Sequence, residues 1–251
     1  MNILIPMAGA GKRFMDAGYT MPKPLIPIEI YDGVGYDTKP MIELVVDNIT
    51  NSIHDDHTRI FIMQQSHWQL YKHDLAYALH EEIPTVQTFV LVDGVTEGAA
   101  CTTLLAEMYI DNDEPLFLAN SDQFVKDWDY NDFIRFINYH KPDGCVVTFE
   151  ATHPKWSYAA VNEHGYITEV AEKNPISHRA TVGFYYWAHG SDYVKYAKQM
   201  IAKNIRTNNE FYVCPVFNEA IHDGKRIMEY QVTDMYGLGT PEDLKSFIEN
   251  I

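Results

Sequence analysis

The segment Asn2-Ile3-Leu4-Ile5-Pro6-Met7-Ala8-Gly9-Ala10-Gly11-Lys12-Arg13 places a short apolar run directly before a glycine-rich loop. A short apolar run of this kind is typical of a buried strand. Glycine lets the backbone turn sharply, so that successive N–H groups can point at an anion. A Walker A loop would need Ser or Thr at Arg13, and a dinucleotide-binding loop would need glycine at Phe14. The segment therefore predicts a strand followed by a glycine-rich turn, which alone could be either a tight turn or a phosphate-binding loop of another kind.

Short apolar runs and longer segments with helical spacing alternate as far as Phe149. The predicted strands are Asn2 to Met7, Arg59 to Met63, Thr88 to Val92, Pro115 to Ala119 and Gly144 to Phe149. The predicted helices are Met41 to Asn51, His67 to Leu79, Ala99 to Met108 and Tyr130 to His140. Alternating strands and helices predict an α/β fold, with a mostly parallel central sheet flanked by helices.

After Phe149 the pattern changes. A hairpin is predicted from Tyr158 to Glu172 around Glu163-His164-Gly165, followed by a strand from Thr181 to Trp187. Helices are predicted over Asp192 to Lys203, Val213 to His222 and Pro241 to Asn250, the last capped by Thr240. The sheet should therefore be mixed. Since no linker or internal repeat interrupts the sequence, we expect a single domain.

Charge and composition limit the partners. The chain carries 19 Lys and Arg against 35 Asp and Glu, a net charge of -16, which argues against nucleic acid. A small phosphorylated ligand stays open, because local cations dominate within a Debye length of about 8 Å. No apolar stretch reaches the roughly 20 residues of a membrane helix, and no signal peptide is recognisable. We expect no membrane partner.

Cysteines and histidines give no metal-site pattern. Cys101, Cys145 and Cys214 are widely spaced, which argues against a disulfide framework or a zinc site and favours the cytoplasm. The densest histidine group, His54-Asp55-Asp56-His57, fits a solvated polar turn better than a metal site, because no HExxH spacing is present.

Two further stretches strengthen the phosphate-binding interpretation. In Met21-Pro22-Lys23-Pro24-Leu25-Ile26-Pro27 the prolines stiffen the backbone on both sides of one lysine. In Phe117-Leu118-Ala119-Asn120-Ser121-Asp122-Gln123 an apolar strand ends in a carboxylate. Ligands of open α/β sheets lie at the carboxyl ends of strands, so Asp122 could hold Mg²⁺. A helix or turn cap is an equally open interpretation of Asp122.

These three elements resemble the nucleotidyltransferases with a GT-A-like fold, namely the sugar-1-phosphate nucleotidylyltransferases and their cytidylyltransferase relatives. The family opens with a glycine-rich loop ending in Arg and a Pro-Lys-Pro-Leu segment, here Gly9 to Arg13 and Pro22 to Leu25. Further matching segments are Glu97 to Ala100, Asn120 to Asp122, Glu172 to Pro175, Val182 to Tyr185, Asn209 to Tyr212 and Gly239 to Leu244. The resemblance implies a Rossmann-like domain over residues 1–251, with a nucleotide-binding half (1–125) and an acceptor-binding half (126–251).

The resemblance also implies roles for individual residues. The implied catalytic residues are Arg13, Lys23 and Asp122. The implied nucleotide-binding residues are Met7, Ala8, Gly9, Ala10, Gly11, Lys12, Glu97, Gly98, Ala99, Asn120 and Ser121. The implied acceptor-binding residues are Glu172, Lys173, Gly183 and Glu210. Mg²⁺ is the implied cofactor, with Asp122 as one ligand.

Two positions depart from the family pattern. Lys12 stands where Thr or Ser is usual, and Gly237 stands where many members carry a second metal-binding Asp. Asp234 could replace that ligand if its strand ends there, although an exposed strand-end carboxylate is an equally open interpretation. We therefore expect Asp234 as the second metal ligand.

The resemblance implies transfer of a nucleotidyl group from a nucleoside triphosphate to a phosphorylated acceptor, first of all a sugar 1-phosphate, in nucleotide-sugar and polysaccharide biosynthesis. A cytidylyltransferase for phosphocholine or a phosphoamide is one alternative. Another is a glycosyltransferase, although its usual Asp-x-Asp is lacking because Gln123 and Phe124 follow Asp122. A nucleotide-binding module without catalysis is the third. The oligomeric state, including a homo-oligomer, stays open.

Overall fold

The computed structural model describes residues 1–31, 35–50, 57–79 and 86–251. Its strands are β1 (Asn2–Pro6), β2 (Pro27–Tyr31), β3 (Tyr36–Pro40), β4 (Thr58–Gln64), β5 (Val86–Val92), β6 (Leu116–Ala119), β7 (Gln123–Lys126), β8 (Gly144–Glu150), β9 (Ser157–Val161), β10 (Ile167–Glu172), β11 (Arg179–Trp187), β12 (Ile227–Gln231) and β13 (Asp234–Gly237).

Its helices are α1 (Lys12–Asp16), α2 (Met41–Thr50), α3 (Gln65–Ala78), α4 (Ala99–Thr103), α5 (Glu107–Ile110), α6 (Tyr130–His140), α7 (Gly190–Ala202), α8 (Val216–His222) and α9 (Pro241–Asn250). Short 3₁₀ turns cover Lys23–Leu25 and Leu104–Ala106. Among the described residues, no helix combines the length and the apolar character needed to cross a membrane.

The large sheet has the strand order β10-β9-β11-β6-β1-β4-β5, and β8 joins it between β11 and β12. Strand β1 pairs in parallel with β4 and β6, and β4 pairs in parallel with β5. Strand β11 runs antiparallel to β6, β8 and β9, so that β11 and β10 oppose the common direction of the other strands. The prediction of a mixed, mostly parallel sheet flanked by helices in one domain is confirmed.

Strand β1 is buried on both faces because helices cover both sides of the sheet. Ile3 and Ile5 belong to one core cluster and Leu4 to the other. On the first side, Phe117 packs against Trp128 and other aromatic rings, with centroids 6.1 Å apart. A near-continuous apolar run is what a parallel strand covered on both faces requires. The carboxyl end of β1 is thereby held on a fixed scaffold.

Several elements differ from the sequence prediction. Strands β2 and β3 form a separate two-stranded ribbon, and β7 and β13 form another. Neither ribbon shows the long apolar run on which the prediction relied, since one side of each is solvated. The expected helix Ala99 to Met108 is divided into α4, a 3₁₀ turn and α5. Asn51, the expected end of α2, and His54 to Asp56 of the expected polar turn lie outside the described residues.

Ribbon β7–β13 has a register that matters for the site. Gly237 pairs with Gln123 at one end, and Asp234 pairs with Lys126 at the other. Beyond the ribbon, the backbone N–H of Leu238 donates to the carbonyl oxygen of Asp122 over 2.7 Å. The Gly237 end of the ribbon is therefore attached to the turn that follows β6.

Candidate active site

An open cleft of about 540 Å³ lies at the carboxyl ends of β1, β5 and β6. This edge of an open α/β sheet is where ligands of such folds bind. The predicted site residues that line the cleft are Ala8, Gly9, Arg13, Lys23, Gly98, Ala99, Asn120, Ser121, Asp122, Glu172, Lys173, Gly183 and Glu210. Residues far apart in sequence thus share one surface, and six of them carry a basic or acidic side chain.

Lys23 and Asp122 form an ion pair in this cleft, with 2.7 Å between Nζ and Oδ2. The Lys23 side chain is only 16% exposed and that of Asp122 only 26%. Pro22 and Pro24 hold the lysine at the start of its 3₁₀ turn. A Cβ on Gly11 would lie 3.5 Å from the Cβ of Lys23, so the glycine-rich loop packs against this lysine. The three sequence elements therefore meet at one point.

Some predicted binding residues lie off the cleft surface. Met7 is buried beneath the loop, and its backbone N–H donates to Ile62 over 2.7 Å. Lys12 is exposed and pairs with Asp16 at 3.0 Å. Ala10 and Gly11 do not line the cleft, and Glu97 turns its carboxylate to Arg206. Any contact of these residues with a nucleotide would have to involve their backbone or a changed rotamer.

The segment Glu97 to Ala100 is fixed to the second half of the chain at Phe211. Phe211 donates its backbone N–H to Glu97 and accepts from Ala100, both over 2.9 Å. Arg206, besides pairing with Glu97, stacks on the Phe211 ring with its Cζ 3.9 Å from the centroid. Gly98 has a φ of 135°, and a Cβ there would lie 2.4 Å from the Phe211 carbonyl oxygen. Only glycine permits this close approach.

Glu172 and Lys173 form the opposite wall of the cleft. Ser157 donates its hydroxyl to the Glu172 carboxylate. Burial raises the pKa of Glu172, although the Ser157 hydrogen bond opposes that shift. Lys173, at a positive φ of 54°, donates to the hydroxyl of Tyr212 and lies 4.4 Å from the centroid of its ring. This wall presents one cation and one buried carboxylate to a ligand.

Buried neutral groups complete that wall. Burial raises the pKa of both the Cys214 thiol and the Tyr185 hydroxyl, which therefore stay protonated at neutral pH. Thr181 and Tyr185 share a hydrogen bond of 3.1 Å between their hydroxyl oxygens. These groups line the cleft beside Glu172.

Gln123 is a site residue that the sequence analysis missed. Its side chain is buried at the cleft wall, and its Oε1 accepts no hydrogen bond from any residue that the structure describes. A Cβ on Gly183 would lie 2.1 Å from that oxygen and 2.3 Å from Asn120 Nδ2. The positive φ of Gly183, 83°, together with its missing side chain, makes room for both amides. An unpartnered buried acceptor is a position that a ligand hydroxyl would satisfy.

The condition under which Asp234 could be the second metal ligand, that its strand ends there, is not met, and Asp234 is instead an exposed carboxylate at a strand end. Asp234 begins β13 at the far end of the ribbon, and its carboxylate accepts from its neighbour Met235. The pairing with β7 fixes this register, so Asp234 lies three strand residues, or about 10 Å, from Gly237. Within the described part of the chain, no cluster of three or more His, Cys, Asp or Glu side chains could hold a metal ion.

The cleft is also lined by residues to which the sequence analysis assigned no individual role in the site. Lys155, Trp156, Tyr212, Thr240 and Asp243 all line the cleft. Asp243 lies in the first turn of the last helix, where its backbone N–H donates to Thr240 Oγ1 over 3.1 Å.

Comparison with known proteins agrees with this fold. The family model described as nucleotidyl transferase matches residues 3–251. The chain therefore belongs to the nucleotidyl transferase family. It is a nucleotidyltransferase enzyme, as the sequence resemblance implied.

Solved structures share the fold over the whole chain. A nucleoside-diphosphate-sugar pyrophosphorylase from Vibrio cholerae RC9 is 24% identical, with a TM-score of 0.80 over 99% of this chain and 100% of that one. A UDP-glucose pyrophosphorylase complexed with UDP-glucose is 19% identical, with a TM-score of 0.77 over 100% of this chain and 99% of that one. At these identities the likeness establishes the fold.

The contact between Gly98 and Phe211 generates a stability prediction. Gly98→Ala should lower the free energy of unfolding by at least about 2 kcal/mol more than Gly94→Ala, because only the former forces a Cβ into backbone. Gly94 also has a positive φ but has open space around it, so it controls for backbone strain. Urea denaturation measures the difference. Equal losses in both variants would contradict the packing described for Gly98.

Burial of Glu172 generates a pH prediction. Since its pKa is raised above about 4.5 in the folded state, the native protein holds this proton more tightly than the unfolded chain. The free energy of unfolding should therefore decrease as pH rises from about 4.5 through the raised pKa of Glu172. Glu172→Gln should remove the share of this decrease that comes from Glu172. Urea denaturation of both proteins between about pH 4 and about pH 8 tests this. A stability difference that does not change with pH would refute it.

Proposed function

We propose that this enzyme joins a nucleoside triphosphate to a sugar 1-phosphate, forming a nucleoside-diphosphate sugar and releasing pyrophosphate. The observation that carries the proposal is the Lys23–Asp122 pair, which lies in one cleft with Arg13 and Lys173. The bond that forms joins an acceptor phosphate oxygen to the α-phosphorus. The bond that breaks lies between that phosphorus and the oxygen bridging to the β-phosphate, and its electron pair leaves with pyrophosphate.

Charge, rather than proton transfer, is the obstacle in this reaction. A phosphate monoester has a second pKa of about 6, so the acceptor is largely dianionic at neutral pH and needs no general base. Two anions must meet on a chain whose net charge is -16. Catalysis should therefore come from positioning and from local positive charge.

The basic side chains of the cleft take separate roles in this proposal. Arg13 and the amides of the glycine-rich loop bind the β- and γ-phosphates. Lys23 lies between the α-phosphate and the acceptor, where its ammonium can neutralise charge that develops during transfer. Lys173, on the facing wall, binds the acceptor phosphate. The rigid backbone around Lys23 keeps its ammonium in place without cost at the moment of reaction.

Asp122 suits a divalent ion, and we propose Mg²⁺. Mg²⁺ takes one or two carboxylates together with phosphate oxygens and waters, so one aspartate at a phosphate-binding cleft fits its preferences. When bound, the ion would neutralise triphosphate charge. Lys23 would then exchange the carboxylate for a phosphate oxygen.

The cleft wall formed by Glu172 and Lys173, the acceptor wall, favours an acceptor with several hydroxyl groups. Gln123 Oε1 lacks a donor among the described residues, and the Glu172 carboxylate accepts from Ser157. Both can accept from sugar hydroxyls. Phosphocholine offers no hydroxyl to these groups and would leave the buried Gln123 oxygen unsatisfied, which is costly. Glu210, which also lines the cleft, is a further candidate for an acceptor hydroxyl.

We also propose a cytoplasmic location, where triphosphates are available. The chain's cysteines, Cys101, Cys145 and Cys214, are all free thiols, as a reducing compartment would keep them.

Substitution of Lys23 tests the proposal. Lys23→Ala should lower turnover roughly 100-fold or more, since losing one such cation typically costs on the order of 3 kcal/mol of transition-state stabilisation. Lys39→Ala is the matched control, because Lys39 is also half-buried and pairs with Asp47 at 2.6 Å, but it lies outside the cleft. Pyrophosphate release measures both, with circular dichroism as the check on folding.

The substrates are a panel of the common nucleoside triphosphates crossed with sugar 1-phosphates and phosphocholine. We expect release of pyrophosphate with a sugar 1-phosphate and little with phosphocholine. The reverse order would favour the cytidylyltransferase alternative. Near-normal turnover of a folded Lys23→Ala variant would reject the role of this lysine.

A further inference from the structure

A second lysine–aspartate pair lies in the cleft beside Gly237. The Nζ of Lys155 is 2.7 Å from Oδ1 of Asp243, and both side chains are partly exposed, at 41% and 23%. The same ammonium lies 4.5 Å from the centroid of the Trp156 ring. Lys155 is thus held by a carboxylate and an aromatic face at the surface of the cleft.

Trp156 and Asp243 occupy the space around Gly237. A Cβ on Gly237 would lie 3.1 Å from Cη2 of Trp156 and 3.5 Å from Oδ2 of Asp243. A longer side chain at Gly237 would have to displace the indole. Two residues further on, a Cβ on Gly239 would lie 3.1 Å from Oδ2 of Asp122. The two lysine–aspartate pairs therefore flank one short backbone segment, Gly237 to Gly239.

The turn that carries Lys155 is tied to the acceptor wall. The backbone N–H of Lys173 donates to the carbonyl oxygen of Trp156 over 3.1 Å. The Trp156 ring also packs edge-on against Phe149, with centroids 5.7 Å apart. On the other side, Asp243 is fixed in the first turn of α9. These contacts attach the residue that follows Lys155 to Lys173, and the aspartate that pairs with Lys155 to the start of α9.

We propose that Lys155 binds the phosphate of the acceptor substrate, together with Lys173, while its contact with Asp243 keeps it in place. This inference rests on the proposed function, since it assigns a residue to that acceptor. A lysine ammonium has three N–H donors and no acceptor. One N–H of Lys155 donates to the Asp243 carboxylate, so its other two N–H groups can bind phosphate oxygens while Asp243 stays paired.

Position and charge both support this assignment. In the proposed function the acceptor phosphate lies between Lys173 and the α-phosphate near Asp122, and Lys155 lines the same cleft as both residues. Beside Gly237, where the resemblance implies one carboxylate, this chain places the Lys155–Asp243 pair, which adds an ammonium. A cation is the group that a dianionic acceptor needs on a strongly acidic protein. Asp243 is in this account a positioning residue and Lys155 a substrate-binding one.

The test compares Lys155→Met with Lys195→Met. Methionine keeps an unbranched apolar stem over the ring and removes the charge. Lys195 is a matched control, because it also pairs with an aspartate, Asp223 at 2.9 Å, and lies 4.5 Å from an aromatic centroid, that of Tyr196, yet does not line the cleft. Isothermal titration measures the affinities of glucose 1-phosphate, inorganic phosphate and a nucleoside triphosphate for both variants and the wild type.

Lys155→Met should weaken binding of glucose 1-phosphate and inorganic phosphate at least tenfold and leave triphosphate affinity within about twofold. Lys195→Met should change none of these affinities. Unchanged phosphate binding by Lys155→Met overturns the inference, and so does an equal loss of triphosphate affinity. Equal effects of both variants would indicate a purely structural pair and would also overturn it.

The experiments distinguish a failure of the proposed function from a failure of the assignment of Lys155. If the wild type binds inorganic phosphate through Lys155 but neither binds nor converts glucose 1-phosphate or other sugar 1-phosphates, the acceptor class is wrong and the inference about Lys155 stands. If sugar 1-phosphates are converted normally by Lys155→Met, with an unchanged KM, the proposed function stands and Lys155 has no part in it. If the wild type binds no phosphate probe at all, the assignment of Lys155 is refuted.

Discussion

The contact between the Lys23 ammonium and the Asp122 carboxylate depends on the order of strands in the sheet. The two residues are 99 positions apart, yet β1 and β6 are neighbours, so the loops after both strands meet at one edge. Prolines fix the backbone at Lys23, and the Leu238 N–H fixes the Asp122 carbonyl. In the proposed function charge repulsion between two phosphates is the obstacle, and the pair would supply a cation and a metal-binding carboxylate where those phosphates meet.

Glycines and close backbone contacts bind the two halves of the chain around that pair. Gly98 lies against the Phe211 backbone, and Gly183 leaves room for the amides of Asn120 and Gln123. Each of these two positions has a positive φ and no room for a Cβ. Glycine is therefore required there both by the backbone conformation and by the lack of space. The acceptor wall is thereby held at a set distance from the glycine-rich loop. Positioning of this kind is what a reaction without a general base requires.

Local chemistry made one part of the site predictable from sequence. Gly11, Lys23 and Asp122 each stand in a segment that is recognisable from local sequence: a glycine-rich loop, a lysine between two prolines, and the end of an apolar strand. The structure brings all three together. The sequence could not place Asp234 relative to Asp122, because the distance between them depends on the register of a two-stranded ribbon. Pairing of β13 with β7 determines that register. Gln123, Lys155 and Asp243 were missed because only long-range packing reveals what they face. For the same reason the sheet was predictable from apolar runs, and the solvated ribbons were not.

The most direct test of the central claim is a crystal structure with a non-hydrolysable nucleoside triphosphate analogue and Mg²⁺. This account predicts a metal ion on the Asp122 carboxylate, and Lys23 Nζ within about 2.7 to 3.2 Å of an α-phosphate oxygen. The ion pair seen between Lys23 and Asp122 should be open in that complex. A triphosphate bound elsewhere, with Lys23 still paired to Asp122, would contradict the account.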